Sequence, residues 1–274
     1  LYRGVSGLYS GASGLVAGWG GAPADYFVTN DAELATAVTA ATASQIIELA
    51  DAGTFTAQAN INSKTGITLR GETYGVPTLP AGLTMTSSTD CKVLGLNIVR
   101  LAPTTTVLNS NSSVVDVTNA VSPEVAYCEI SSNPLADIAM QDGTSGSLYF
   151  QGYRGIGGTC TNFNFHHNYV HDTYRGHSVV GTAASVNYIE NNIVIDSYQN
   201  PCEMACNTGG TIYYRHNNTM GTWAVNSDPG SPHSSTLGFS ASQSWTPIVV
   251  GNIMLSAVDR RFAAKGSYAA ASGP

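Results

Sequence analysis

Charge is scarce in this chain. Charged residues make up 11% of 274, with 11 Lys+Arg against 18 Asp+Glu and a net charge of −7. A nucleic-acid footprint needs clustered positive charge, and so does a basic membrane-surface patch; the composition excludes both. No apolar run reaches the roughly 18–20 residues that span a bilayer, so membrane insertion is not expected. Cysteine is sparse and odd in number, at positions 91, 128, 160, 202 and 206, with no CxxC pair. That pattern gives neither a disulfide framework nor a zinc site. Cys91, Cys128 and Cys160 sit beside apolar strand residues and read as core; Cys202 and Cys206 are the one candidate pair, across a loop. The early glycines lack a following Lys-Ser/Thr, which excludes a phosphate-binding loop. Disorder is excluded as well, because hydrophobic residues reach 43%.

What the chain does have is repetition around asparagine. The phrases are His166-His167-Asn168-Tyr169-Val170, Glu190-Asn191-Asn192-Ile193-Val194, His216-Asn217-Asn218-Thr219-Met220 and Val250-Gly251-Asn252-Ile253-Met254. Taken on Asn168, Asn192, Asn218 and Asn252, they recur at intervals of 24, 26 and 34 residues. Gly95-Leu96-Asn97-Ile98-Val99 is an earlier echo. A period of a few tens of residues in strand-like sequence is the mark of a solenoid, and one Asn per turn predicts a stack of amides.

Residues 1–25 read as a Gly-rich leader or arm, and 259–274 as a linker or tail; a longer parent chain is expected. Over 26–45 a capping helix is predicted. Asn30 is its N-cap and Glu33 closes a capping box, together worth about 1 kcal/mol, while Leu34, Val38 and Ala41 share a face. Such a helix suits the end of a solenoid, where apolar core and unpaired strand edges need cover. From 46 to 258 short β runs alternate with Asn, Gly, Ser, Thr and Pro, among them Cys91–Leu96, Ser113–Val117, Val125–Ile130 and Thr211–Tyr214. No long amphipathic helices alternate with them, which excludes doubly wound α/β folds and TIM barrels. A β-sandwich would not repeat the phrases at near-constant intervals.

The predicted cap helix, the phrase Ile46-Ile47-Glu48-Leu49-Ala50-Asp51-Ala52-Gly53-Thr54-Phe55 and the Asn-centred coils resemble right-handed parallel β-helix proteins of the pectate-lyase-like superfamily. That group includes polysaccharide lyases, glycoside hydrolases and phage tailspikes. The resemblance covers roughly residues 26–258 and is architectural. A lyase signature around a catalytic Arg is absent, as are the paired Asp and Gly-His-Gly of polygalacturonases; Gly176-His177-Ser178 does not match. The resemblance implies an all-β parallel solenoid, extracellular or virion-borne, with a polysaccharide or glycan as partner and a homotrimer or larger assembly as its state.

Stacking the phrases in register predicts columns. His166, Glu190 and His216 form one, His167, Asn191 and Asn217 another, and Asp172 meets Asp196. Arg215 would fall on an inward position, so a one-residue slip is allowed for in that coil. The His–Glu–His column reads as a solvated hydrogen-bonding ladder rather than a metal site, because a flat face spaces ligands in a row. The denser cluster is the turn from Asp172 to His177. Tyr174, Arg175, His177 and Glu203 are the candidate catalytic residues; Arg154, Asp172, Tyr198 and Trp223 are the candidate substrate-binding ones. In β-elimination Tyr174 or His177 would move the proton and Arg175 neutralise the uronate; in hydrolysis Asp172, Asp196 and Glu203 are the carboxylates. The same oxygens would serve calcium, though no Asp-rich loop marks a site. Gly221–Ser244 is expected to be a loop insertion; Trp223 within it and Trp245 just past it would stack on sugar faces, seal the side of the solenoid or contact a neighbour. A non-catalytic spike or fibre remains the alternative to an enzyme.

Overall fold

The computed structural model describes residues 22–100, 113–132, 154–173, 175–181, 184–197, 202–206, 209–222, 238–240, 245–255 and 263–265. Within them the chain winds as a right-handed parallel β-helix with three sheets, each strand pairing in parallel with its counterpart one coil away. Sheet I holds Tyr26–Asn30, Ile46–Thr54, Thr68–Gly71, Lys92–Leu94, Glu124–Ala126, Asn164–His166, Ser185–Glu190, Gly210–Arg215 and Thr246–Val250. Sheet II runs from Thr78–Leu79 through Asn97–Arg100, Glu129–Ser132, Tyr169–His171, Ile193–Ser197 and Asn218–Thr222 to Ile253–Leu255. Sheet III includes Ser113–Asp116, Arg154–Thr161, Arg175–Gly181 and Cys202–Cys206. The expected single run Val125–Ile130 is two strands, because Tyr127 turns through a positive φ of 58°.

Strand alternation sends every second residue inward, and pairing aligns those residues into columns. Sheet I contributes Ile47, Leu69, Val93, Val125, Phe165, Ile189 and Tyr214. Sheet II adds Leu79, Ile98, Ile130, Val170 and Val194. Each full burial of such a side chain contributes about 1.5–3 kcal/mol. One helix, α1 (Asp31–Ala40), lies at the N-terminal end with Leu34, Ala37 and Val38 buried. Asn30 caps it by accepting from the Glu33 amide at 3.0 Å, while the Glu33 carboxylate accepts from the Thr29 amide at 2.7 Å. Asp31 accepts from the amides of Thr56 and Ala57, tying the helix to the coil beneath.

The corner from sheet I to sheet II explains the Asn phrases. Gly95, Tyr127, His167, Asn191, His216 and Gly251 all have left-handed backbone there, φ 55–67°. The next residue points into the core. At Asn168, Asn192, Asn217 and Asn252 its Oδ1 accepts the backbone N–H of the equivalent residue one coil earlier, at 2.8–3.0 Å. Each Nδ2 donates to a carbonyl of that coil, of Val125, Phe165, Ile189 and Tyr214 in turn. The rungs are 24, 25 and 35 residues apart. Asn217, not Asn218, is therefore the third rung; Asn218 pairs with Ile193 in sheet II. The early echo is also displaced by one, since Leu96 and Cys128 precede Asn168 in this column and Asn97 pairs with Glu129.

Cys91, Cys128, Cys160 and Cys202 are buried free thiols. The pairing of Cys202 with Cys206 does not form: both belong to one extended strand, where four residues span about 13 Å, beyond the roughly 7 Å that a disulfide tolerates. Among the described residues no helix is long and apolar enough to cross a membrane.

Candidate functional site

The residues singled out from sequence separate in space. His177 pairs with Ile156 and Cys202 and points into the core at 0% exposure, so it does not line an outer groove. Neither ring nitrogen has a hydrogen-bond partner among the described residues, and burial pushes its pKa down to about 4. His177 and Glu203, both candidate catalytic residues, are not opposite each other: Ser178 is the partner of Glu203 and lies in the outward column with Gly157 and Asp116. Arg154 and Arg175 are paired at the starts of adjacent sheet III strands, Arg175 buried. A Cβ on Gly157 would lie 3.1 Å from Arg154 Cδ, so the bare backbone there makes room for the arginine stem. Asp172 lies just past the sheet II strand Tyr169–His171, and the Thr173–Ser197 bridge puts Asp172 and Asp196 at equivalent positions. Tyr174, Tyr198 and Trp223 lie outside the described residues, as do the side chains of Asp196 and Glu203. So does most of Gly221–Ser244, although Gly238–Ser240 within it is a strand of sheet III. Among the described residues no group of three or more His, Cys, Asp or Glu is arranged to hold a metal.

Sequence reasoning missed His171. Its Nδ1 lies 2.8 Å from Asp172 Oδ2 and its Nε2 3.1 Å from Glu129 Oε1, and Tyr169 stacks on the ring at 4.4 Å. Burial disfavours the imidazolium, but the two carboxylates outweigh it and raise the pKa to about 9. His171 is therefore a cation at neutral pH.

The richest outward surface belongs to sheet I. Pairing aligns Lys92, Glu124, Asn164, Tyr188 and Tyr213 in one column and Glu48, Arg70, Leu94, Ala126, His166, Glu190 and Arg215 in the next. The slip at Asn217 brings Arg215, not His216, beside Glu190, and the two form an ion pair. Arg70 and Glu48 pair at 2.6 Å, and Lys92 and Glu124 at 2.8 Å. Tyr188 and Tyr213 stack at 5.1 Å and 14°, with the Arg215 guanidinium 5.3 Å from both ring centres. Glu124 also faces His166 Nε2 at 3.3 Å, and His166 Nδ1 lies 2.9 Å from His167 Nδ1. Tyr127 stacks on His167 at 5.0 Å and meets Tyr74 edge-on at 5.9 Å. The His166 hydrogen bond and Lys92 overcome burial to hold the Glu124 carboxyl down at about 2. Burial, helped by the neighbouring His166 and opposed by Glu190, lowers the pKa of His167.

Nothing local in the sequence points to this group. Glu124 and His166 are 42 residues apart and meet only because one coil is long. The signal available was the coil register, which the Cys at position 128 disguises by standing where later coils have Asn.

No family model matches the sequence, and no curated protein matches it. Solved structures align with this chain at low identity. A pectin methylesterase bound to a hexasaccharide aligns at 11% identity and a TM-score of 0.48, covering 87% of this chain and 68% of that one. An alginate lyase from Paenibacillus sp. aligns at 10% and 0.35, covering 86% and 98%. The pectin methylesterase from Aspergillus niger aligns at 15% and 0.39, covering 91% and 92%. The architecture itself rests on the strand pairing of this chain.

Proposed function

We propose that the chain is a glycan-binding β-helix, extracellular or virion-borne, that holds an extended polysaccharide along the outer face of sheet I. One observation carries the reading: the run of paired charges and rings from Lys92 to Arg215. From Lys92 to Arg215 each coil adds a charged, amide or aromatic group at the strand spacing of about 4.8 Å, and a repeating array suits a periodic polymer. The ion pairs fix their own geometry and keep further lone pairs and N–H groups for sugar hydroxyls. Their mutual neutralisation favours a hydroxyl-rich ligand over a dense polyanion.

Affinity electrophoresis against β-glucan, xylan, pectin and alginate tests the reading. At least one should retard the protein, and the double variant Tyr188→Ala/Tyr213→Ala should weaken binding about tenfold or more, equal to about 1.4 kcal/mol. Ile253→Ser, on the outer face of sheet II, should bind as the parent does. Failure to bind any of the four, or full affinity in the double variant, rejects the reading. Light scattering on the same sample separates a trimer from a monomer.

A further inference from the structure

Glu124, His166 and His167 make a continuous polar chain that ends on a ring at the sheet I corner. A carboxylate only accepts, so His166 Nε2 carries the proton that faces Glu124. In the tautomer that keeps the His166 proton on Nε2, His166 Nδ1 accepts from His167 Nδ1–H. That leaves the lone pair of the last imidazole on Nε2, for which no hydrogen-bond partner is found among the described residues. The left-handed backbone of His167, φ 55°, and the Tyr127 ring stacked against it fix where that nitrogen points. A neutral, oriented imidazole backed by a carboxylate is the arrangement of a general base.

The neighbouring charges decide which reaction such a base serves. Glycoside hydrolysis needs a protonated carboxyl beside a second carboxylate. Glu124, held near 2, cannot donate, and Glu190 is ion-paired with Arg215. Elimination from a uronate needs a cation to neutralise the substrate carboxylate, yet Lys92 and Arg215 are each already paired with glutamate. Ester hydrolysis by water needs a base that can return its proton, and asks for no cation to neutralise a substrate carboxylate. A sugar alkoxide is a good leaving group for it, because the adjacent C–O bonds withdraw charge; methoxide is poorer.

We propose that Glu124, His166 and His167 form a proton relay in which His167 Nε2 is the general base for hydrolysis of O-acyl esters on the glycan held along sheet I. The proposal rests on the glycan-binding reading above. Water attacks the acyl carbon while its proton passes to His167 Nε2, and the carbonyl becomes an oxyanion. Collapse of the tetrahedral intermediate breaks the bond from acyl carbon to sugar oxygen, and that oxygen takes the proton back. The products are a carboxylic acid and a free hydroxyl, with no other reactant. His167 is the catalytic residue; His166 and Glu124 position it and hold its tautomer.

The test is acetate release from acetylated xylan, with binding measured on the same samples. The wild type should release acetate. His167→Asn, which tolerates the left-handed backbone, should lose activity about a hundredfold or more in kcat with binding unchanged. His166→Gln and Glu124→Gln should lose about tenfold and move the acid limb of the pH profile, which a merely structural role would not do. His216→Asn, two coils on and outside the relay, should be fully active. Binding without acetate release from the wild type overturns the relay and leaves the binding reading intact. Full activity in His167→Asn, or hydrolysis confined to methyl esters, also overturns it. Absence of binding removes the reading on which it rests.

Discussion

At the scale of single residues, interior amides and one interior imidazole set opposite expectations. Asn192 satisfies four groups at once: its Oδ1 accepts from the Asn168 amide and side chain, its Nδ2 donates to Phe165 O and to Asn217 Oδ1. Asn192→Ala leaves buried donors and an acceptor orphaned, at about 1–3 kcal/mol each before relaxation. The loss should exceed about 3 kcal/mol, and Asn252→Ala, on the partly exposed last rung, should lose less. Urea denaturation decides; equal losses would show that the amides act independently of depth. His177 is the converse. Its two nitrogens are buried with no hydrogen-bond partner among the described residues, in a column with Leu83, Val115, Ile156 and Cys202. His177→Leu should be neutral or stabilising by about 1 kcal/mol, and a loss above that would mean the ring is satisfied by bound solvent. The amide stack was legible in the sequence because Asn is the short side chain that both donates and accepts. The burial of His177 was not, because a polar residue on a strand reads as outward unless its coil register is known.

At the scale of elements, the helix was legible and the corners were not. Asn30, Glu33 and the buried Leu34–Val38 face are local features, and local chemistry fixes them. The strand Tyr26–Asn30 ahead of the helix was missed, since it is held by pairing with Ile46–Thr54 rather than by its own pattern. Asn30→Ala should cost about 1 kcal/mol in urea denaturation, with Asn30→Gly costing only a few tenths. The register of the coil after Glu190 slipped by one because Asn217 and Asn218 are adjacent and only the inward one is a rung. That slip replaced His216 by Arg215 beside Glu190 and changed the column's chemistry from imidazole–carboxylate to guanidinium–carboxylate. Gly155 marks a tight point on the inner face: a Cβ would lie 2.5 Å from Val170 Cγ1 and 2.6 Å from Gly176 O. Gly155→Ala must displace backbone, so it should destabilise by about 1–3 kcal/mol.

At the scale of the whole molecule, three buried or half-buried groups with large shifts dominate how stability depends on pH. His171 has a folded value of about 9 against an ordinary 6.5. Its contribution is complete below 6.5 and is lost as pH rises through 9. The full shift would be worth about 3 kcal/mol at 1.36 kcal/mol per unit, and the exposure of Glu129 and Asp172 reduces this to about 1–2. His177 acts in the other direction. Its folded value of about 4 means that the unfolded chain takes up a proton between 6.5 and 4 while the folded chain does not. Stability therefore falls as pH drops through that window. Glu124 adds a second acid loss, since its folded value of about 2 stabilises the fold above 4.5 and ceases to as pH falls to 2. The unfolding free energy should peak near pH 6.5 and decline on both sides. Urea melts from about pH 2 to about pH 10 measure the curve. His177→Leu should flatten the limb from 6.5 to 4 and leave the alkaline limb; His171→Gln should do the reverse. A curve that keeps both limbs in the double variant would place the pH dependence elsewhere in the chain.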